Sequence, residues 1–307
     1  MSVLWGVSYL LIKIAVRGGL PAPDVAWLRV MIAALLLIGL AWRAGTLGAL
    51  RGRWRWLVAY AVAEISIPFP LIAAGEEHVA SSLAAIIIAS VPLIGAVLAL
   101  RFDHSERPTP VRALGLAIGF SGVIALVGID VAGNGPELLG AGAILLAAVG
   151  YAIGPMLVKH RLAGLDPRAL MGASLSVAAL ILTPFAALDT PHTLPSAGAF
   201  SAVAALGLFC TAAAFVVFTV LIREAGTSRA TVITYVNPVI AVALGVTLLG
   251  ERPGAGAVAG LLLILSGSWL STGGRTPPMV GAWRARRTAP AVEHPPTGAD
   301  AASAAVS

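Results

Sequence analysis

Ala80–Gly122 reads ASSLAAIIIASVPLIGAVLALRFDHSERPTPVRALGLAIGFSG, and Gly226–Gly267 reads GTSRATVITYVNPVIAVALGVTLLGERPGAGAVAGLLLILSG. Each is an apolar segment with one proline, Pro92 or Pro238, followed by Glu106-Arg107-Pro108 or Glu251-Arg252-Pro253. A second apolar segment follows, with glycines at Gly115 and Gly122 or at Gly260 and Gly267. From the proline of each turn to the two glycines the steps are seven residues and seven residues in both copies. The same features in the same order at the same spacing mark an internal duplication, and the rest of the chain is read around it.

The surrounding composition is that of a membrane protein. Of 307 residues, 58% are hydrophobic and 11% charged, and the mean hydropathy is +0.93. A soluble domain carries about a quarter charged residues, so this chain falls outside that class. Apolar runs of about twenty residues suffice to cross about 30 Å of hydrocarbon as helix. Strand-like alternation is absent, which argues against a membrane barrel. The formal charge of +6 comes from arginines scattered among short loops. There they orient membrane helices, so the expected partner is the lipid bilayer and no nucleic acid. The one cysteine, Cys210, lies inside an apolar run and reads as a packed thiol.

Ten spans are expected, at about 2–20, 24–42, 54–75, 80–100, 111–129, 138–158, 168–188, 198–222, 229–249 and 255–273. The first begins almost at Met1 with no basic region ahead of it, which argues against a cleaved signal peptide; a missing extension or misplaced start explains the short lead. With the N-terminus in the cytoplasm, basic residues fill every cytoplasmic loop: Arg43, Arg51, Arg53 and Arg55; Arg101, Arg107 and Arg112; Lys159, Arg161 and Arg168; Arg223 and Arg229. The outer loops hold only Arg17 and Arg252, and carry Asp24, Glu76, Glu77, Asp130, Glu137, Asp189 and Glu251. That asymmetry supports both the orientation and the number of spans. Five spans per copy is an odd number, so the copies cross in opposite directions. The expected fold is therefore an all-α polytopic membrane protein, ten transmembrane helices as two inverted five-helix repeats. The repeats cover 1–130 and 138–273, and 274–307 reads as a disordered cytoplasmic tail in which Arg284, Arg286 and Arg287 can meet anionic lipid.

Trp5-Gly6 in the first span, Arg29 in the second and the repeated Pro…Glu-Arg-Pro…Gly…Gly pattern resemble EamA-type carriers of the drug/metabolite transporter superfamily. The resemblance covers about residues 1–273. It implies a ten-helix inverted-repeat carrier of small metabolites, often an exporter, with a cavity between the halves. Departures are Val149-Gly150 where Trp5-Gly6 aligns, Met171 where Arg29 would stand, and Glu64, which is not typical of the pattern.

Candidate site residues follow from the physics of the spans. A proline frees the carbonyl four residues earlier, and hydrocarbon tolerates such a carbonyl only beside protein, water or cargo. Pro92 frees Ile88, Pro238 frees Thr234, and Pro68 and Pro70 free Glu64 and Ser66. These are helix breaks expected to line the cavity, against the plainer reading of packing kinks. Glu64 lies midway along the third span. A charge at a helix centre costs about 2.5–3.5 kcal/mol on insertion scales. Taking up a proton removes that cost, which makes Glu64 a candidate proton carrier; a structural ion pair with Lys13 or Arg29 is the alternative.

Lys13 and Arg29 either snorkel to the interface or face the cavity and bind a carboxylate. Trp5, Ser8, Tyr9, Tyr151, Thr211, Tyr235 and Asn237 are further substrate-contact candidates, with interhelical hydrogen bonding as the competing role. Glu76-Glu77-His78 reads as an exposed turn rather than a metal site, and no metal or cofactor is expected. Gly115 and Gly119, and Gly256 and Gly260, are spaced for close packing between the halves.

The expected activity is alternating access by a secondary carrier in the cell (inner) membrane, around a cavity lined by spans one, three, four, six, eight and nine. Both termini are cytoplasmic. The carrier exports a small molecule, an amino acid or amphiphile, with protons as the coupling ion, as a monomer or homodimer. The rivals are a non-transporting sensor or assembly subunit and an intramembrane enzyme. A P-loop, His-Glu-x-x-His, Gly-x-Ser-x-Gly and paired intramembrane aspartates are all missing from the sequence, so no catalytic residue is assigned.

Overall fold

The computed structural model describes residues 1–102, 109–188, 194–218 and 233–271. Glu106-Arg107-Pro108, Gly226, Arg223, Arg229 and the tail 274–307 lie outside the described residues. Among the described residues the regular elements are all helical: α1 (Ser2–Arg17), α2 (Ala22–Arg43), α3 (Trp54–His78), α4 (Ser81–Arg101), α5 (Pro110–Val131), α6 (Gly135–Arg161), α7 (Pro167–Leu188), α8 (Ala197–Phe218), α9 (Ile233–Leu249) and α10 (Ala255–Ser271).

Seven of these, α2 to α8, are long and apolar enough to cross a membrane. Helix α1 has 16 residues, about 24 Å at 1.5 Å per residue, less than the hydrocarbon core. Helices α9 and α10 are described over Ile233–Leu249 and Ala255–Ser271 and border residues outside the described ones. The side chains on the outside are those lipid would meet: Leu35, Ile124, Leu139, Leu180 and Leu248 are all exposed.

Helix association in lipid gains little from hydrophobicity and depends on how closely backbones approach. The α5–α10 contact shows this. A Cβ on Gly122 would lie 2.9 Å from Ile264 N and 3.0 Å from Gly260 O. One on Gly260 would lie 2.9 Å from Gly122 O, and one on Gly267 would run into the backbone of Gly119. The seven-residue glycine register thus places two backbones in contact. Gly172 does the same for α7 on α2, where a Cβ would lie 2.9 Å from Leu37 O. Helix α3 packs along α6, α1 along α8 and α9, α4 along α6 and α9, α2 along α8, and α7 along α3. Gly75, Gly140 and Gly150 line the α3–α6 seam.

Two turns are held by charges at helix ends. Asp130 at the end of α5 accepts hydrogen bonds from Gly256 N (3.0 Å) and Ala257 N (2.5 Å), capping α10. Glu251, between α9 and α10, accepts from Ser81 N (2.8 Å), Ser81 Oγ (2.9 Å) and Ser82 N (2.9 Å) at the start of α4. A carboxylate there satisfies orphan N–H groups and meets the positive end of the helix. Half-burial disfavours the Glu251 charge, but the hydrogen bonds from Ser82 and Ser81 outweigh it and hold the carboxyl below the ordinary glutamate range.

Two outcomes follow. Gly267→Ala should destabilise the protein by about 1–3 kcal/mol through overpacking. Gly39→Ala, in α2 with nothing near its Cβ, should be neutral or stabilising by up to about 1 kcal/mol. Thermal unfolding in detergent compares them, and equal melting points would refute the close-approach account. For Glu251 the folded carboxyl titrates below its unfolded value. Its stabilisation is therefore present above the unfolded value of about 4.3 and is lost as pH falls through the lower folded one. Glu251→Gln should cost about 0.5–2 kcal/mol near neutral pH, and the difference from wild type should vanish in acid.

Candidate functional site

The site is built where helices depart from the regular α-turn. Pro68 supplies no N–H, and the chain before it slips into a wide turn over Val62–Ser66, where Ile67 N donates to Val62 O at 3.0 Å. Glu64 sits inside that turn. A second wide turn spans Leu206–Ala213 in α8 and carries Cys210 and Thr211; Thr211 Oγ1 donates to Leu206 O at 2.9 Å. Such turns present backbone groups sideways and recur at functional sites.

Arg29 bridges α2 to this part of α8. It is buried, its Nε donates to Thr211 Oγ1 at 2.8 Å, and its guanidinium carbon lies 4.1 Å from the centre of the Phe69 ring. Tyr151, Cys210, Tyr9 and Glu76 are its electrostatic neighbours. Tyr9 is buried, hydrogen-bonded with the Asn237 side chain and a neighbour of Tyr151. Asn237 Oδ1 has no protein donor. Trp5 packs on Phe218 and Phe215 of α8, with ring centres 5.3 and 6.2 Å apart.

Glu64 lies against α6. A Cβ on Gly154 would overlap its carboxylate, so that glycine makes its berth. Tyr60 and Tyr151 share its electrostatic surroundings, and its buried Oε2 has no protein partner. Neither Lys13 nor Arg29 forms an ion pair with it. Lys13 does not snorkel either. Its buried Nζ donates to Val79 O at 2.7 Å and to Glu76 O, the last carbonyls of α3. A cation at a helix C-terminus meets the negative end of the dipole.

Arg29, Tyr9, Tyr151 and Asn237 are thus brought together, with Glu64 beside Tyr151 and Trp5 one helical turn before Tyr9. Lys13 stands apart with Glu76. Tyr235 is half-buried on α9. Pro92 breaks its helix after Ala89-Ser90, whereas Pro238 stays within continuous α9. Met171, aligned with Arg29, takes a different partner: the Tyr60 hydroxyl donates to its sulfur at 3.8 Å.

Sequence reasoning missed Phe69 and Glu76. Glu77 and His78 are exposed as expected, but Glu76 is fully buried. The spacing Phe69, Ile72, Glu76 puts it on the buried face of α3, a signal that was available. The room for Glu64 was also written in Gly150-Tyr-Ala-Ile-Gly154.

The EamA-like transporter family matches this chain at residues 1–128 and again at 138–273. An uncharacterized inner membrane transporter, YedA of Escherichia coli (strain K12), is 31% identical over 260 residues, covering 82% of this chain and 81% of that one. A probable terminal-alkyne amino-acid exporter of Streptantibioticus cattleyicolor is 31% identical over 267 residues, covering 81% of this chain and 87% of that one. One crystal structure aligns with a TM-score of 0.60 at 20% identity over 88% of this chain and 96% of its own, a likeness of fold alone. With the family matching both stretches of a helical bundle whose polar side chains converge inside it, the chain is a multi-pass membrane protein that belongs to the EamA-like transporter family.

Proposed function

We propose that the protein is a secondary active exporter of small metabolites, proton-coupled and working by alternating access. In this reading residues 1–130 and 138–273 are two inverted five-helix repeats of a ten-helix carrier, with both termini in the cytoplasm. The short α1 is accommodated by local thinning of the bilayer. The packing supports the duplication. Exchanging the halves turns α3–α6 into α8–α1, α4–α6 into α9–α1, and α2–α8 into α7–α3, and all of these pairs are in contact. Helices α5 and α10, α2 and α7, and α4 and α9 each meet their own counterpart.

The observation that carries the transport site is the buried Arg29. A cation–π contact is worth about 2 kcal/mol when desolvated, less than the about 2.5–3.5 kcal/mol a charge costs at mid-span. Among the described residues no carboxylate lies within ion-pair distance of Arg29. A cargo carboxylate would supply the missing charge, with Tyr9, Tyr151, Asn237 and Trp5 around it. Glu64, beside Tyr151, is the candidate proton carrier. Similarity to the probable terminal-alkyne amino-acid exporter of Streptantibioticus cattleyicolor favours an amino acid or related amphiphile.

Counterflow in proteoliposomes over a panel of metabolites tests the reading. Exchange of at least one carboxylate-bearing solute is expected, and no exchange across the panel would favour a sensor or assembly subunit. With the responding solute, Glu64→Gln should abolish pH-driven flux while expression is retained. Flux that keeps its pH dependence would remove Glu64 from the coupling.

A further inference from the structure

The α3–α4 corner holds a buried acid that the transport site does not use. Glu76 lies in the last turn of α3, fully buried, and neither carboxylate oxygen accepts a hydrogen bond. Its main-chain oxygen and that of Val79 hold the Lys13 ammonium from α1. On the other side of the same turn Glu251 caps α4 through Ser81 and Ser82. The corner is thus fastened to α1 by a cation and to the α9–α10 turn by an anion.

The groups facing Glu76 can be taken helix by helix. From α1 come Lys13, with Arg17 near it, and Tyr9; from α2 comes Arg29; from beyond α9 comes Glu251. Helix α4 offers the serines of its first turn, and α6 meets this end of α3 through Gly140 and Ile144. Glu77 and His78 on α3 itself face outward.

We propose that Glu76 is a proton-binding site of this carrier, and that filling it releases the α3–α4 corner from Lys13. While Glu76 is ionised, its charge balances the buried ammonium. A proton from bulk water forming an O–H bond at Glu76 removes that balance and leaves Lys13 near Arg17 with less opposing charge. An ammonium is costly to bury uncompensated, and its flexible stem lets it withdraw to water. The carbonyls of Glu76 and Val79 then lose their donor and the corner loosens; loss of the proton resets it. As a gate this rests on the transport reading above, but the release can be measured without any cargo.

Cys210 is the only cysteine, so a Cys210→Ser background isolates a reporter at Ala80→Cys in the corner. Initial maleimide rates on the purified full-length protein in detergent are compared with Leu194→Cys, 98% exposed, which corrects for the fall of thiolate with pH. The corrected Ala80→Cys rate should rise about tenfold from about pH 8 to about pH 5.5, as expected of local opening. Adding Glu76→Gln should make it fast at both pH values, and Glu76→Asp should restore the dependence. A rate flat with pH in the parent, an unchanged profile in Glu76→Gln, or a response to sodium in place of pH would overturn the proposal. If Glu76→Gln does not elute as a single species, the parent profile and Lys13→Gln decide: the latter should label fast throughout, and slow labelling would overturn the proposal. Absence of exchange in the metabolite screen would strike the transport reading and leave this result standing.

Discussion

Backbone contact between α5 and α10 is the constraint on which the bundle depends. In hydrocarbon an apolar side chain gains little by leaving lipid for protein, so helices associate where backbones can touch. Gly122, Gly260 and Gly267 allow that contact, and an added methyl group would meet main-chain atoms at each. Gly172 on α7, and Gly75, Gly140 and Gly150 between α3 and α6, repeat the solution elsewhere. Tight seams of this kind leave the space between other helices to polar side chains.

Those side chains share a physical problem: each must find a partner within the protein. Arg29 takes Thr211 and the Phe69 face, Lys13 takes the last carbonyls of α3, and Glu251 takes the first N–H groups of α4. Helix ends and wide turns serve here as counter-charges, because each exposes unpaired main-chain dipoles. Glu64 and Glu76 are left with buried oxygens that no protein donor reaches. For a carrier these are the groups to which protons or cargo matter most.

Much of this was legible in particular residues. Long apolar runs separated by arginine-bearing loops announced a helical membrane protein. Trp5-Gly6, Arg29 and the Glu-Arg-Pro turns pointed to the family, and the pairs Gly115/Gly119 and Gly256/Gly260 pointed to close packing between α5 and α10. The rest needed three dimensions. That Arg29 meets Thr211 depends on a wide turn in α8, which has no proline to announce it. Lys13 was left between the interface and the cavity because its partners are carbonyls, which every residue has and no motif marks. Glu76 was placed on an exposed turn because it sits beside Glu77 and His78. Its spacing from Phe69 and Ile72 was the better guide, since a helix buries one face up to its last turn. The first span, expected over 2–20, was over-extended because Gly18, Gly19 and Leu20 continue the run past the end of α1 into the turn.

The central claim, that two copies of one unit enter the membrane in opposite senses, is tested most directly by sidedness. Thr109 and Arg252 both lie exposed beside the corresponding Glu-Arg-Pro turns. Single cysteines at these positions, in a Cys210→Ser background, can be labelled in intact cells with an impermeant reagent. Labelling of Arg252→Cys from outside, with Thr109→Cys reacting only after the membrane is opened, is the result the inverted arrangement requires. Reaction of both from the same side would contradict it.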